Sequence, residues 1–343
     1  MKGLRLYIPP FAPDDSGAVA VLHALNAATV IIDAGGCAGN IAGFDEPRTT
    51  KSAVFSAGLR DMDAILGRDD NLVKKISSAL ESVSPEFVAL IGTPVPAVIG
   101  TDYNALCHII EKKLNIPAVA IDTDGTKLYD DGISKTYLSL FKKFAKETDS
   151  KSDSIGILGA SHFDFNINFL CENIKKAFNK YSQFFVYGIE SGIDAFKKVA
   201  EVEKNIVVSV SGLSAAKYLK ERFNVPFEIY SPVFDDEILK GINTHAKKIL
   251  IMHEQFRANA LRNVLRQNNP DAKIIVGNWF LSYKGYEESD DLHFDDEDEF
   301  TDYVKNENFD CIFADKLFLR AAPFYKGEWV HLHHFAASGS EKR

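Results

Sequence analysis

Thr29-Val-Ile-Ile-Asp33-Ala-Gly-Gly-Cys37-Ala-Gly-Asn40 and Phe87-Val-Ala-Leu-Ile-Gly-Thr93-Pro94-Val-Pro-Ala-Val-Ile-Gly100-Thr-Asp102 bracket the stretch that decides the fold. Each opens with a short, β-rich apolar run and breaks sharply at Gly or Pro. That is the pattern of a strand buried on both faces, followed by a loop. Between them lies Leu59-Arg-Asp-Met-Asp-Ala-Ile-Leu-Gly67-Arg-Asp-Asp-Asn-Leu72, a polar run that leads into an amphipathic segment.

The same alternation continues outward. Strand-length apolar runs occur at Val30–Ile32, Phe87–Ile91, Ala118–Ile121, Ser154–Leu158, Gln183–Tyr187, Asn205–Val210, Lys248–Met252, Ala272–Val276 and Asp310–Ala314. Helical periodicity separates most of them, at Asp70–Ser82, Asp102–Lys113, Phe165–Lys180, Gly192–Glu203, Gly212–Phe223 and Arg257–Gln267. Strands alternating with helices predict an α/β protein with parallel sheets covered on both faces. Lys146–Ser154 is polar and reads as a linker, and a second boundary follows Pro232. The expected units are 1–150, 151–235 and 236–343. No Gly-x-Gly-x-x-Gly follows the first strand, so a plain dinucleotide-binding chain is excluded. No Gly-x-x-x-x-Gly-Lys-[Ser/Thr] occurs either, so ATP is not held by a P-loop.

Of the 343 residues, 46% are hydrophobic and 25% charged, with a net charge of −9. That supports a well-buried core and argues against nucleic acid, whose phosphates need clustered Lys and Arg. No apolar run approaches the ~18 residues of a membrane span. The N-terminus shows no secretory leader before Pro9-Pro10, and a cytoplasmic location is expected. Residues 287–302 carry ten Asp or Glu and no Lys or Arg, which reads as a solvated loop entering a helix N-terminus at Glu297–Tyr303.

The four cysteines, Cys37, Cys107, Cys171 and Cys311, are too far apart for a zinc knuckle or a disulfide framework. Cys107, Cys171 and Cys311 lie within helix or strand patterns and read as buried structural thiols. Cys37 sits in a glycine-flanked turn at a strand exit. Loops of that kind bind ligands in α/β proteins, and Gly36 and Gly39 allow close approach of the backbone. A thiolate there suits an iron–sulfur centre; the alternative is a small apolar side chain in a tight turn.

Together these junctions resemble the nitrogenase component 1 family. The resemblance covers most of the chain and is strongest over 29–125 and 204–232. It implies three Rossmann-like parallel-sheet units, and it implies a first domain that supplies cluster cysteines. Cys37-Ala-Gly-Asn40 matches the second such cysteine, in wording most like the cofactor-assembly scaffold. Gly17-Ala18 is present without its preceding cysteine, and Thr93-Pro94 stands where the family has Thr-Cys, ahead of Ile99-Gly-Thr-Asp102. One thiol per chain implies a subunit-bridging iron–sulfur cluster, with Asp14 and Asp15 as candidate oxygen ligands, or loss of the cluster. Asp45-Glu-Pro-Arg48 falls where the family has a polar Asp/Arg stretch.

The resemblance further implies a homodimer, or a heterodimer with a component 1-like subunit, fed with electrons by an ATP-dependent iron-protein-like reductase. Substrate would be reduced in an inter-domain cleft. The alternatives are a non-catalytic scaffold or carrier for a metallocluster or tetrapyrrole, and a cluster-less partner subunit. Cleft candidates are Thr93, His162, Arg257 and His333. His162 follows a strand, and Arg257 offers a guanidinium to a carboxylate-bearing ligand. His333 and His331 are expected on one strand face, where paired imidazoles bind a metal or protonate a substrate.

Overall fold

The computed structural model describes residues 5–41, 52–60, 69–232, 238 and 245–339. The polar stretch at 45–48, the run at 61–68 and the segment 233–237 after Pro232 lie outside the described residues. Three separate sheets are present, and every ladder between their strands is parallel. The α/β expectation therefore holds.

The first sheet contains β1 (Ala27–Ile31), β2 (Ala53–Ser56), β3 (Phe87–Ile91) and β4 (Ala118–Ile121), in the order β2-β1-β3-β4. The second contains β5 (Ser154–Leu158), β6 (Gln183–Val186), β7 (Lys204–Val207) and β8 (Phe227–Ile229), in the order β6-β5-β7-β8. The third contains β9 (Lys248–Met252), β10 (Lys273–Asn278), β11 (Leu292–His293), β12 (Cys311–Ala314) and β13 (Glu328–His331), in the order β11-β10-β9-β12-β13. Each sheet starts in its middle and winds first to one side, then to the other. The reversal falls between β1 and β3, between β5 and β7, and between β9 and β12. Crevices at the carboxyl ends of such paired strands are where doubly wound sheets take ligands.

Strands β1, β3 and β5 are buried at every position, which is why they read as unbroken apolar runs. The edge strands β2, β8, β11 and β13 are short and half-exposed, and the periodicity does not find them. The Asp14–Leu22 helix also escapes, for the opposite reason. All nine of its residues are buried, so it has no polar face to reveal a period.

That helix crosses the Tyr129–Phe144 helix backbone to backbone. A Cβ on Gly17 would fall 1.8 Å from the Tyr129 carbonyl oxygen, and one on Gly132 would fall 1.8 Å from that of Asp14. Gly17 and Gly132 are thus packing requirements of this crossing. The Tyr129–Phe144 helix also lies against β4 and the Leu213–Phe223 helix. One apolar cluster runs from Phe87 through Phe196 to Phe313's neighbour Ile312, joining all three sheets.

Candidate functional site

The Cys37 turn is built by Asp33, the residue that follows Ile32 at the end of β1. Its Oδ2 accepts the Ala38 N–H at 2.9 Å and its Oδ1 accepts the Ser56 hydroxyl at 2.6 Å, tying the turn to β2. Gly35 takes φ +115°, a conformation that side-chain-bearing residues rarely adopt. Residues Gly36–Asn40 then form a short helix. Among the described residues, a Cβ at Gly35, Gly36 or Gly39 would meet nothing within 4 Å.

Cys37 is half-buried in this turn. Burial raises its thiol pKa, and the carboxylates of Asp15 and Asp33 raise it further, while a contact with the Thr93 hydroxyl lowers it. Thr93 is buried at the exit of β3 and donates to the Ile32 carbonyl at 2.8 Å. Asp14 and Asp15 are both buried in the first turn of their helix. Asp14 is committed elsewhere. Its Oδ1 accepts the Gly125 N–H at 2.7 Å, its Oδ2 accepts the Asp124 N–H at 3.2 Å, and the Lys135 ammonium lies 3.7 Å away. Asp15 is the one whose charge reaches Cys37.

This donor set is one thiol, two neighbouring carboxylates and a hydroxyl, beside a glycine surface open to a second body. An iron–sulfur cluster normally takes four thiolates. The residues present fit such a group only where a second subunit completes the ligands.

A second polar constellation lies at the meeting of the three units. Asp164, in the loop after β5, accepts the Tyr129 hydroxyl at 2.5 Å and faces His334 Nε2 at 3.0 Å, both on Oδ1. The His334 ring stacks on His253 with centroids 4.0 Å apart and planes at 17°. His253 and Glu254 follow β9 directly. Glu254 accepts the Val210 N–H at 2.8 Å and the Arg257 N–H at 3.0 Å. Arg257 donates to the Asp164 carbonyl and lies 4.7 Å over the Phe165 ring. Asp130 accepts the Leu281 N–H at 2.5 Å.

Burial dominates the electrostatics here. It pushes Glu254 up to about 8, with the Asp164 charge adding, and Asp130 up to about 7. It raises Tyr129 and lowers His253, the latter helped by His334 and Arg257. Burial thus favours the uncharged forms of both Glu254 and its neighbour His253. Asp164 Oδ2 and His334 Nδ1 are buried with no hydrogen-bond partner among the described residues.

The candidate residues thus fall into separate groups. Cys37, Gly36, Gly39, Asp15 and Thr93 come together at the switch point of the first sheet, with Asp14 turned away. Arg257 is buried in the junction, bound to the protein's own carbonyl. His333 stands at its rim, its carbonyl 3.4 Å from His253 Nε2. His162 is half-buried after β5. His331 and His333 do not share a strand face, because β13 ends at His331; their rings lie 6.1 Å apart at 72°. Cys171 and Cys311 are buried as expected, while Cys107 is half-buried on its helix. The acidic run is also less uniform than a solvated loop. Asp291 pairs with buried Arg262 at 2.6 Å, and Glu297 accepts the Leu6, Tyr7 and Ile8 N–H groups.

Tyr129, Asp130, Asp164, His253, Glu254 and Asp315 were not legible as site residues. The available signal was positional: Asp164, Glu254 and Asp315 follow the central strands β5, β9 and β12, where doubly wound sheets carry ligand chemistry.

Three doubly wound parallel sheets, with polar residues gathered at their carboxyl ends, define an α/β protein of three Rossmann-like sheets. The family model described as "Nitrogenase component 1 type Oxidoreductase" matches residues 15–236, and the chain belongs to that family. It is 27% identical over 179 residues to the nitrogenase iron-molybdenum cofactor biosynthesis protein NifE of Clostridium pasteurianum, covering 50% of this chain and 38% of that protein. It is 24% identical over 199 residues to the corresponding NifN protein of Nostoc sp., covering 51% of this chain and 45% of that one. The match thus spans less than half the length of these curated relatives. The solved structure "Nitrogenase Cp1 at pH 6.5" superposes with a TM-score of 0.75 at 13% identity, over 97% of this chain and 87% of that one, a likeness of fold. Among the described residues no helix is long and apolar enough to cross a membrane.

Proposed function

We infer that this chain is a component 1-like subunit that carries an iron–sulfur centre at the Cys37 turn, shared with a second copy or a homologous subunit, in the assembly or transfer of a metallocofactor. The observation that carries this reading is the openness of the turn. Its thiol is half-buried among glycines at which, among the described residues, an added Cβ would meet nothing within 4 Å. The curated relatives named for cofactor biosynthesis support the same reading. When bound, the centre would supply reversible one-electron chemistry. Cys37 would anchor it after losing its proton, Asp15 would offer oxygen ligation, and Asp33 and Thr93 would hold the turn in place. Tyr129, Asp164, His253 and His334 fill the junction between the units with protein side chains, which favours carriage over turnover of a substrate inside it.

A specific observation favours a second reading. Glu254 and Asp130, buried carboxyls whose pKa values burial raises to about 8 and about 7, would suit proton-coupled reduction, with electrons from an ATP-dependent iron-protein-like reductase. Anaerobic reconstitution with iron and sulfide tests the first reading. Wild type should take up iron, turn brown and sediment as a dimer, and Cys37→Ala should remain colourless. A brown Cys37→Ala protein, or a wild type that binds no iron, would overturn it. Substrate-dependent ATP turnover in the presence of the reductase would select the second.

A further inference from the structure

We propose that Asp315, His331 and His333 form a mononuclear site for a first-row divalent cation such as Zn2+, distinct from the Cys37 turn. The residues come from the carboxyl ends of adjacent strands in the third sheet. Asp315 directly follows β12 and His331 ends β13, with Ala314 and His331 in register. One donor atom from each of the three lies within 4.8 Å of the others, and His333 Nδ1 is 3.8 Å from Asp315 Oδ2. Two ligands on one tetrahedral ion at about 2.1 Å stand roughly 3.4 Å apart. Closing the set therefore takes side-chain shifts of less than about 1.5 Å, and both histidines are only half-buried.

The carboxylate is already oriented. Asp315 Oδ1 accepts the Leu317 N–H at 2.9 Å and Oδ2 accepts the His334 N–H at 2.9 Å. Each oxygen keeps a second lone pair, and such backbone bonds are the usual support of a ligating carboxylate. His331 Nδ1 accepts the exposed Lys316 N–H at 3.1 Å. A cation taking that lone pair displaces one hydrogen bond, which Lys316 recovers from water. Two imidazoles and one carboxylate suit zinc, iron or cobalt better than magnesium or calcium, which favour all-oxygen ligands. Three protein ligands leave a position for water, the arrangement of a Lewis-acid centre. The site does not depend on the reading of Cys37.

The test is titration of the chelator-treated protein with Zn2+ and, separately, Co2+. One equivalent of zinc should bind per chain. His331→Ala and His333→Ala should each weaken binding by about tenfold or more, whereas His108→Ala, on the Tyr103–Leu114 helix, should not. Bound Co2+ should show d–d absorption without a thiolate-to-cobalt charge-transfer band, which separates this site from one built on Cys37. That spectrum of the wild type decides the matter even if the histidine variants fold poorly. No stoichiometric binding, undiminished binding in the His331→Ala/His333→Ala double variant, or a thiolate band would each overturn the proposal.

Discussion

Replacing Tyr129 by Phe removes one oxygen from a fully buried junction and leaves the ring in place. The Tyr129 hydroxyl donates to Asp164 Oδ1 at 2.5 Å, and His334 Nε2 is the other contact of that atom at 3.0 Å. Asp164 Oδ2 has no hydrogen-bond partner among the described residues. The variant would therefore leave a buried carboxyl with one side-chain contact where it now has two. Loss of a hydrogen bond to a carboxylate costs about 1.5–3 kcal/mol, or about 30-fold in the folding equilibrium for a central value of 2. The ring contacts with Phe163 at 4.7 Å and Phe280 at 5.4 Å are retained, so little of the effect should come from packing. Urea unfolding followed by circular dichroism measures the change in midpoint, and an unchanged m-value would show that the comparison is fair. A double-mutant cycle with Asp164→Asn isolates the pair. A Tyr129→Phe loss below about 0.5 kcal/mol, or a loss unchanged in the Asp164→Asn background, would refute the account of the junction as a hydrogen-bonded unit.

Stability should also depend on pH in a defined direction. Glu254 and Asp130 are raised in the fold, to about 8 and about 7, so the native state binds more protons than the unfolded chain between their ordinary values and these; stability falls as pH rises through that window. Lowering of His253 acts oppositely and only below its ordinary value of 6.5, which leaves a net decline from pH 6.5 to about 8; Glu254→Gln should flatten that decline in chemical-denaturation series. Asp291→Ala should cost about 1–3 kcal/mol, because it strips the 2.6 Å ion-pair partner from an Arg262 side chain only 3% exposed, which keeps Glu288 at 3.5 Å and Asn259; a well-packed apolar pair at 262 and 291 should restore most of the loss in the same unfolding assay. Gly17→Ala should abolish soluble expression or native near-ultraviolet dichroism, since its Cβ would meet the Tyr129 backbone at 1.8 Å; a folded, wild-type-like Gly17→Ala protein would show that the helices do not cross there.

Much of this architecture is legible in one dimension. Val88, Leu90, Ile155 and Ile249 belong to central strands with both faces covered, so each run is largely apolar and ends where the chain leaves the sheet. The Cys37 turn is legible for a related reason. Glycines at 35, 36 and 39 are local punctuation, and the positive φ at Gly35 is a local demand. The edge strands β2, β8, β11 and β13 are not, because a short half-exposed strand needs no consistent pattern and is defined by its neighbour's hydrogen bonds.

The amino-acid sequence by itself determined the α/β alternation, the family and the glycine-flanked turn that carries Cys37, because each depends on spacing within a few residues. Only the tertiary structure decided that Tyr129, Asp164, His253, Glu254 and His334 share one buried junction, and that Asp315 stands with His331 and His333. Those residues are ordinary in their own segments, and they acquire common partners, and Tyr129, His253 and Glu254 their shifted pKa values, only when three sheets bring their strand ends together. Burial and proximity are properties of the packed molecule, so no local pattern carries them.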